Sequence, residues 1–154
     1  MGRAAAWVRG MKVANGDSLI EGCVAGKVDK FVFTVTENGM WKISELSEYR
    51  EQGRGGSGVK VGAMTEKTWQ VIGAFTLTEE QKKNGSVILI SKDGQTIRVP
   101  LTDVRVTGRA TQGVILAKLK DDADSFTSAT VVDKSEWEED GVESNVNEAP
   151  NESA

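Results

Sequence analysis

Three arginines in this chain share one setting: each follows a glycine and precedes small or polar residues and a valine. They are Arg3 in Gly2-Arg3-Ala4-Ala5-Ala6-Trp7-Val8, Arg54 in Gly53-Arg54-Gly55-Gly56-Ser57-Gly58-Val59, and Arg109 in Gly108-Arg109-Ala110-Thr111-Gln112-Gly113-Val114. Glycine serves where the backbone takes a positive φ or passes close to another segment, so each box reads as a turn that displays one guanidinium. A guanidinium donates charge-assisted hydrogen bonds to anionic oxygens, and separated cations meet a line of phosphates through counterion release. Such contacts hold a polyanion without reading its sequence. Arg50 and Arg105 stand just ahead of two boxes, and Lys42, Lys60 and Arg98 fall on neighbouring strands. Any single lysine of this set is equally an ordinary solvated charge. The repeated pairs, Arg50 with Arg54 and Arg105 with Arg109, are harder to read that way.

Catalysis finds little to work with. The chain has no histidine, no cysteine pair and no phosphate-binding Gly-x-x-x-x-Gly-Lys-Ser/Thr loop. Asp121-Asp122-Ala123-Asp124 lacks the glycine and distal glutamate of a calcium loop and reads as a polar turn. No cofactor is expected in this chain. Cys23, the single cysteine, lies in the apolar run Leu19 to Val24, where a small buried hydrophobe is expected and a reactive thiol is the alternative.

The elements that carry the boxes repeat with them. Moving residues 31–59 forward by 55 places, without a gap, sets Asn38-Gly39 on Asp93-Gly94, Leu46 on Leu101, Arg50 on Arg105 and Gly53-Arg54 on Gly108-Arg109. Between the first two boxes the shift is 51, and it aligns Ile20 with Val71, Gly22 with Gly73 and Val24 with Phe75. A period just above fifty, filled with short strands, marks stacked blades of a propeller-like array.

In the first unit strands are expected at Val8 to Val13 and Ser18 to Val24, around the turn Asn15-Gly16-Asp17. Phe31 to Thr36 and Met40 to Ile43 flank Asn38-Gly39 as a hairpin, and Ser44 to Tyr49 makes a short turn. The second unit repeats this as Val59 to Met64, Trp69 to Leu77, a polar connector Thr78 to Asn84, and the hairpin Ser86 to Ser91 with Gln95 to Val99, stopped by Pro100. The third is incomplete, with runs Val114 to Leu119 and Phe126 to Val132. The aromatics Phe31, Phe33, Trp41, Trp69 and Phe75 fall in strands and are read as core or inter-blade packing, with base stacking the lesser reading.

The net charge of −4 hides a division: residues 1–120 carry 18 basic against 12 acidic side chains, and residues 121–154 carry one lysine against 11 acids. A basic body suggests a polyanion partner, and the acidic tail is a competitor for the same surface or a solubility aid. Residues 1–133 form the expected folded region. Residues 134–154, poor in apolar side chains apart from Trp137, form the expected disordered tail. No run of 18 apolar residues exists and no secretory signal is evident, so a cytoplasmic protein without a membrane partner is expected.

The box order, the Asn-Gly and Asp-Gly hairpins, and the run Leu46-Ser47-Glu48-Tyr49-Arg50-Glu51-Gln52-Gly53-Arg54-Gly55-Gly56 together resemble the C-terminal domain of DNA gyrase A. Thr107 to Val114 resembles the last box of that family, followed by an acidic tail. The resemblance covers residues 1 to about 133. It implies an all-β fold, a propeller-like β-pinwheel of four-stranded blades, of which this chain would hold about two and a half to three. It also implies that Arg3, Lys42, Arg50, Arg54, Lys60, Arg98, Arg105 and Arg109 bind and wrap duplex DNA in the bacterial nucleoid. The partners would be double-stranded DNA, the rest of gyrase A, and gyrase B, with ATP and Mg²⁺ used elsewhere in the holoenzyme. Tyr49 is not the strand-cleaving tyrosine of type II topoisomerases, which belongs to another domain. Gln52 to Gly58 departs from the family's Gln-Arg-Arg-Gly-Gly-Lys-Gly hallmark, with Gly for one Arg and Ser for Lys, so it reads as a later box. Trp7 stands where a glycine is expected. The related C-terminal domain of topoisomerase IV and a protein-interaction β-repeat module are the alternatives.

Overall fold

The computed structural model describes residues 8–63, 65, 70–115, 117–119 and 124–133. The first box as far as Trp7, Trp69, residues 121–123 of the acidic turn and the tail 134–154 lie outside the described residues. The strands are β1 Asp29–Thr36, β2 Met40–Glu45, β3 Val71–Thr78, β4 Ser86–Ser91, β5 Thr96–Pro100, β6 Val114–Ile115 and β7 Phe126–Val132. One helix, α1 Glu79–Asn84, and two 3-10 turns, Leu46–Glu48 and Leu101–Asp103, complete the order.

Two antiparallel sheets result, with strand orders β3-β1-β2-β6 and β5-β4-β7. The repeat seen in the sequence is the repeat of the fold. Adding 55 to β1, β2 and β3 gives β4, β5 and β7 to within two residues, and the first 3-10 turn falls on the second. Hydrogen bonds repeat as well: Glu37 N donates to the Gln70 carbonyl at 3.0 Å and Lys92 N to the Ser125 carbonyl at 2.8 Å. The third unit builds no sheet of its own among the described residues. Its β6 completes the first sheet, with Trp41 opposite Val114, and its β7 completes the second, with Val87 opposite Val131.

The hairpins close through three-residue loops, 37–39 and 92–94, whose last residue is a glycine in the left-handed region: Gly39 at φ 71° donates from N to the Thr36 carbonyl and Gly94 at φ 84° to the Ser91 carbonyl. Both faces of β1 and β2 are covered toward the hairpin end, so Thr34, Thr36, Lys42 and Ser44, the polar residues that alternate with Phe33, Val35, Trp41 and Ile43, are buried as well. Phe33 packs edge-on to Trp41, centroids 5.7 Å apart, and stacks on Phe75 at 6.1 Å. Leu77, Val87, Leu89, Leu101, Val104 and Phe126 belong to the same buried cluster, so both sheets share one core.

Three expectations are corrected. Val8 to Val13, Ser18 to Val24 and the described part of Val59 to Met64 are not strands; Met11 makes an isolated bridge to Gly56, and Leu19 and Val24 are 71% and 89% exposed. Residues 21 and 24 touch the outer edge of β3, where the Glu21 carboxylate accepts from Ala74 N at 3.0 Å and the Val24 carbonyl from the Thr76 hydroxyl at 3.3 Å, but no backbone ladder forms between them. Cys23, in that run, is therefore exposed rather than buried. The connector Thr78 to Asn84 is helical: the Thr78 hydroxyl accepts from Gln81 N at 3.1 Å and the Gln81 side chain accepts from Thr78 N at 3.0 Å, a reciprocal cap.

Candidate nucleic-acid interface

The third box is a turn anchored on the first sheet. Thr107 N donates to the Ile43 carbonyl at 2.8 Å, Thr111 N to the Gly108 carbonyl at 3.1 Å, and the Thr111 hydroxyl to the same carbonyl at 2.8 Å. Gly113, at φ 86°, then lets the chain turn onto β2; a Cβ there would lie 2.5 Å from the Trp41 carbonyl oxygen. Any other residue would push β6 off its partner.

Two side chains of the first unit reach this turn. Glu48 Oε2 accepts from Arg109 N at 2.8 Å, and Lys42 Nζ donates to the Arg109 carbonyl and, at 3.1 Å, to the Thr111 carbonyl. The Arg109 guanidinium crosses to the segment leaving the second box and donates from Nη1 to the Lys60 carbonyl. Its Nε is buried without a protein partner among the described residues.

The second box is held differently. Gly56 N donates to the Gly53 carbonyl at 3.3 Å, and Gln52 Oε1 accepts from Gly58 N at 3.2 Å. Its outer side runs along residues 10–12, with Gly55 N on the Gly10 carbonyl and Lys12 N on the Gly56 carbonyl, both at 2.9 Å.

The structure sorts the cations the sequence singled out. Arg50, Arg54, Lys60, Arg98 and Arg105 are exposed, and no carboxylate among the described residues pairs with Arg50, Arg54 or Arg105. Arg109 is half-buried, with part of its donor set engaged on Lys60. Arg3 lies outside the described residues. Lys42 corrects the expectation of a solvent-facing cation: it is 4% exposed and directed into the third box. Burial pushes its ammonium below the ordinary lysine pKa; the Glu48 carboxylate opposes that shift and Arg109 adds to it. Tyr49, whose hydroxyl lies 2.8 Å from Ser44 Oγ, is raised, chiefly by burial. Sequence reasoning missed Glu48 and Gln52 as anchors. Glu48 acts on a box 61 residues away, which no local spacing reveals.

The arrangement presents exposed cations at equivalent points of successive units, Arg50 and Arg105 each just ahead of a Gly-Arg turn. Among the described residues no helix is long and apolar enough to cross a membrane.

Comparison with known proteins gives a consistent family. The chain is 41% identical over 137 residues to the DNA gyrase A protein of Kosmotoga olearia, covering 88% of this chain and 16% of that protein. The chain thus spans about a sixth of the length of that relative. A crystal structure of the C-terminal domain of DNA topoisomerase IV superposes with a TM-score of 0.72 over 82% of this chain and 38% of the other, at 18% identity, a likeness of fold alone. The structure of a DNA gyrase A C-terminal domain superposes with a TM-score of 0.59 at 25% identity, over 67% of this chain and 33% of the other. The family model described as DNA gyrase C-terminal domain, beta-propeller, matches residues 30–75 and 85–133, the stretches that hold both hairpins and their boxes, and the chain belongs to that family.

Proposed function

We propose that this chain binds duplex DNA without sequence preference and wraps it, as a non-catalytic part of a type II topoisomerase that introduces negative supercoils. The observation that carries the reading is the placement of Arg50 and Arg105, which occupy equivalent points of consecutive units, both exposed and both just ahead of a Gly-Arg turn. A curved array of separated cations follows a bent phosphate backbone, and its affinity comes from released counterions. In this reading the rest of gyrase A, together with gyrase B, supplies strand passage and ATP hydrolysis, and the site of action is the bacterial nucleoid.

Titration of a linear duplex at two salt concentrations tests binding, and relaxation of a nicked plasmid, religated in the presence of the chain, tests wrapping. Expected are a steep loss of affinity with salt and a dose-dependent shift in linking number. Salt-independent binding, or an unchanged linking number at saturation, would sink the reading.

A second reading, an assembly module, is favoured by one observation: Leu19, Ile20, Val24 and Val28 are exposed together on a stretch without a sheet partner. It predicts concentration-dependent mass in sedimentation and no salt-dependent duplex binding.

A further inference from the structure

We infer that the third box holds a phosphate through the main-chain N–H groups of Ala110 and Gln112, and that buried Lys42 is the positioning residue that turns them outward. The inference rests on the DNA-binding reading for the identity of the phosphate. It adds a site made of backbone where the sequence suggested only guanidinium groups.

The geometry follows from which carbonyls Lys42 collects. Its ammonium takes the carbonyls of Arg109 and Thr111, two residues apart on the same loop. No peptide bond described is cis. In a trans peptide the carbonyl and the following N–H point in opposite directions, so fixing these two carbonyls inward directs the N–H groups of Ala110 and Gln112 away from Lys42. Both residues are exposed, and neither N–H donates to a partner among the described residues. The alternate donors of the loop are already engaged: Arg109 N on Glu48 and Thr111 N on the Gly108 carbonyl. Two outward main-chain donors above a buried positive charge form an anion-binding concavity, and backbone N–H groups are common partners of nucleic-acid phosphates.

The position of Lys42 argues the same way. Its counterpart in the second unit is Ile97, a partly buried residue of β5, so the strand itself does not call for an ammonium there. A buried cation without a carboxylate partner is an unfavourable guest unless its donors are used, and here the described hydrogen bonds of its ammonium go to the box.

The test uses the full chain, labelled with 15N, titrated with a linear duplex and separately with inorganic phosphate. The Ala110 and Gln112 amide resonances are expected to move downfield with both. Lys42→Met should abolish those shifts and lower duplex affinity by roughly tenfold at fixed salt, with the salt slope unchanged, because a neutral N–H releases no counterion. Glu48→Ala, made at an exposed residue, loosens the same turn from its other anchor and should reduce the same shifts; it carries the test if Lys42→Met loses its dispersed spectrum. Amides that stay still while the duplex binds with its usual salt dependence overturn the inference and leave the DNA reading standing. Shifts with inorganic phosphate but no duplex binding would do the reverse. A slope lower by about one in Lys42→Met would make Lys42 itself the phosphate ligand, which also overturns the positioning role.

Discussion

The ring of Phe126 closes against Gly39, so the first hairpin turn and the last strand of the second sheet form one joint. A Cβ built on Gly39 would lie 3.0 Å from Phe126 Cε2 and 2.6 Å from the Ala117 carbonyl oxygen, and Phe126 N donates to the Glu37 carbonyl at 2.9 Å. Units in a repeat array gain stability from interfaces with their neighbours. Here the interface depends on a turn with no side chain at its tip.

Gly39→Ala should therefore destabilise the fold by about 2–4 kcal/mol, from the positive φ and from displaced backbone together. Gly94→Ala, at a similar φ but with nothing within 4 Å of the new methyl, should lose only about 1 kcal/mol. Urea midpoints of the two variants measure the difference. Equal losses would mean that the Gly39 contact carries no weight.

The cap of α1 should be worth about 1 kcal/mol, so Thr78→Ala lowers the urea midpoint accordingly. The helix seats on the second 3-10 turn, where Leu101 N donates to the Gly85 carbonyl at 3.0 Å and Leu101 is fully buried. The loss should thus appear as faster amide exchange in both α1 and Leu101. Exchange confined to α1 would separate the two.

Asp124 gives the fold an acid limb. Desolvation raises its carboxyl, but the Ser91 hydroxyl and the backbone N–H groups of Ser125, Asp93 and Lys92 outweigh it and hold the pKa below the ordinary value of 3.8. A depressed carboxyl contributes stability that is present above that ordinary value and is lost as the pH falls through the folded-state pKa. Between about pH 5 and pH 2 the unfolding midpoint of the parent chain should fall more steeply than that of Asp124→Asn. Parallel curves would exclude the contribution.

Arg54→Ala and Arg105→Ala should each weaken duplex binding for every sequence alike and lower the salt slope by about one. A changed sequence preference with an intact slope would assign these arginines to bases rather than phosphates.

Removing residues 134–154, which carry most of the acidic excess, should tighten duplex binding, most visibly at low salt. Unchanged affinity would make the tail a solubility aid.

Much of the fold was legible because its signals are local. Asn38-Gly39 and Asp93-Gly94 fix two hairpins within a few residues, and Pro100 ends β5 where the ladder needs no further donor. Residues 8–28 were not legible in the same way. Their alternating pattern is that of a strand, but strand formation is a property of a pair, and residues 21 and 24 meet β3 through side-chain hydrogen bonds rather than a backbone ladder. The helix at Glu79–Asn84 was hidden because six polar residues carry no apolar period, although Thr78 and Gln81 hold the spacing of a capping box. Among the candidate cations, exposure could not be read from residue type: Arg105 is exposed, while Lys42, on an equally ordinary-looking strand, is buried.

By itself the amino-acid sequence determined the period, the strands that lie beside their own turns, and the Gly-Arg boxes, since each depends on neighbours within a few residues. Only the tertiary structure decided that β6 and β7 leave their own unit to complete two earlier sheets. It also decided that Lys42 and Glu48 hold a box more than sixty residues away. The reason is that a lysine's partner is chosen by whatever carbonyls the packed chain brings within reach, and burial then leaves the ammonium no water to prefer instead.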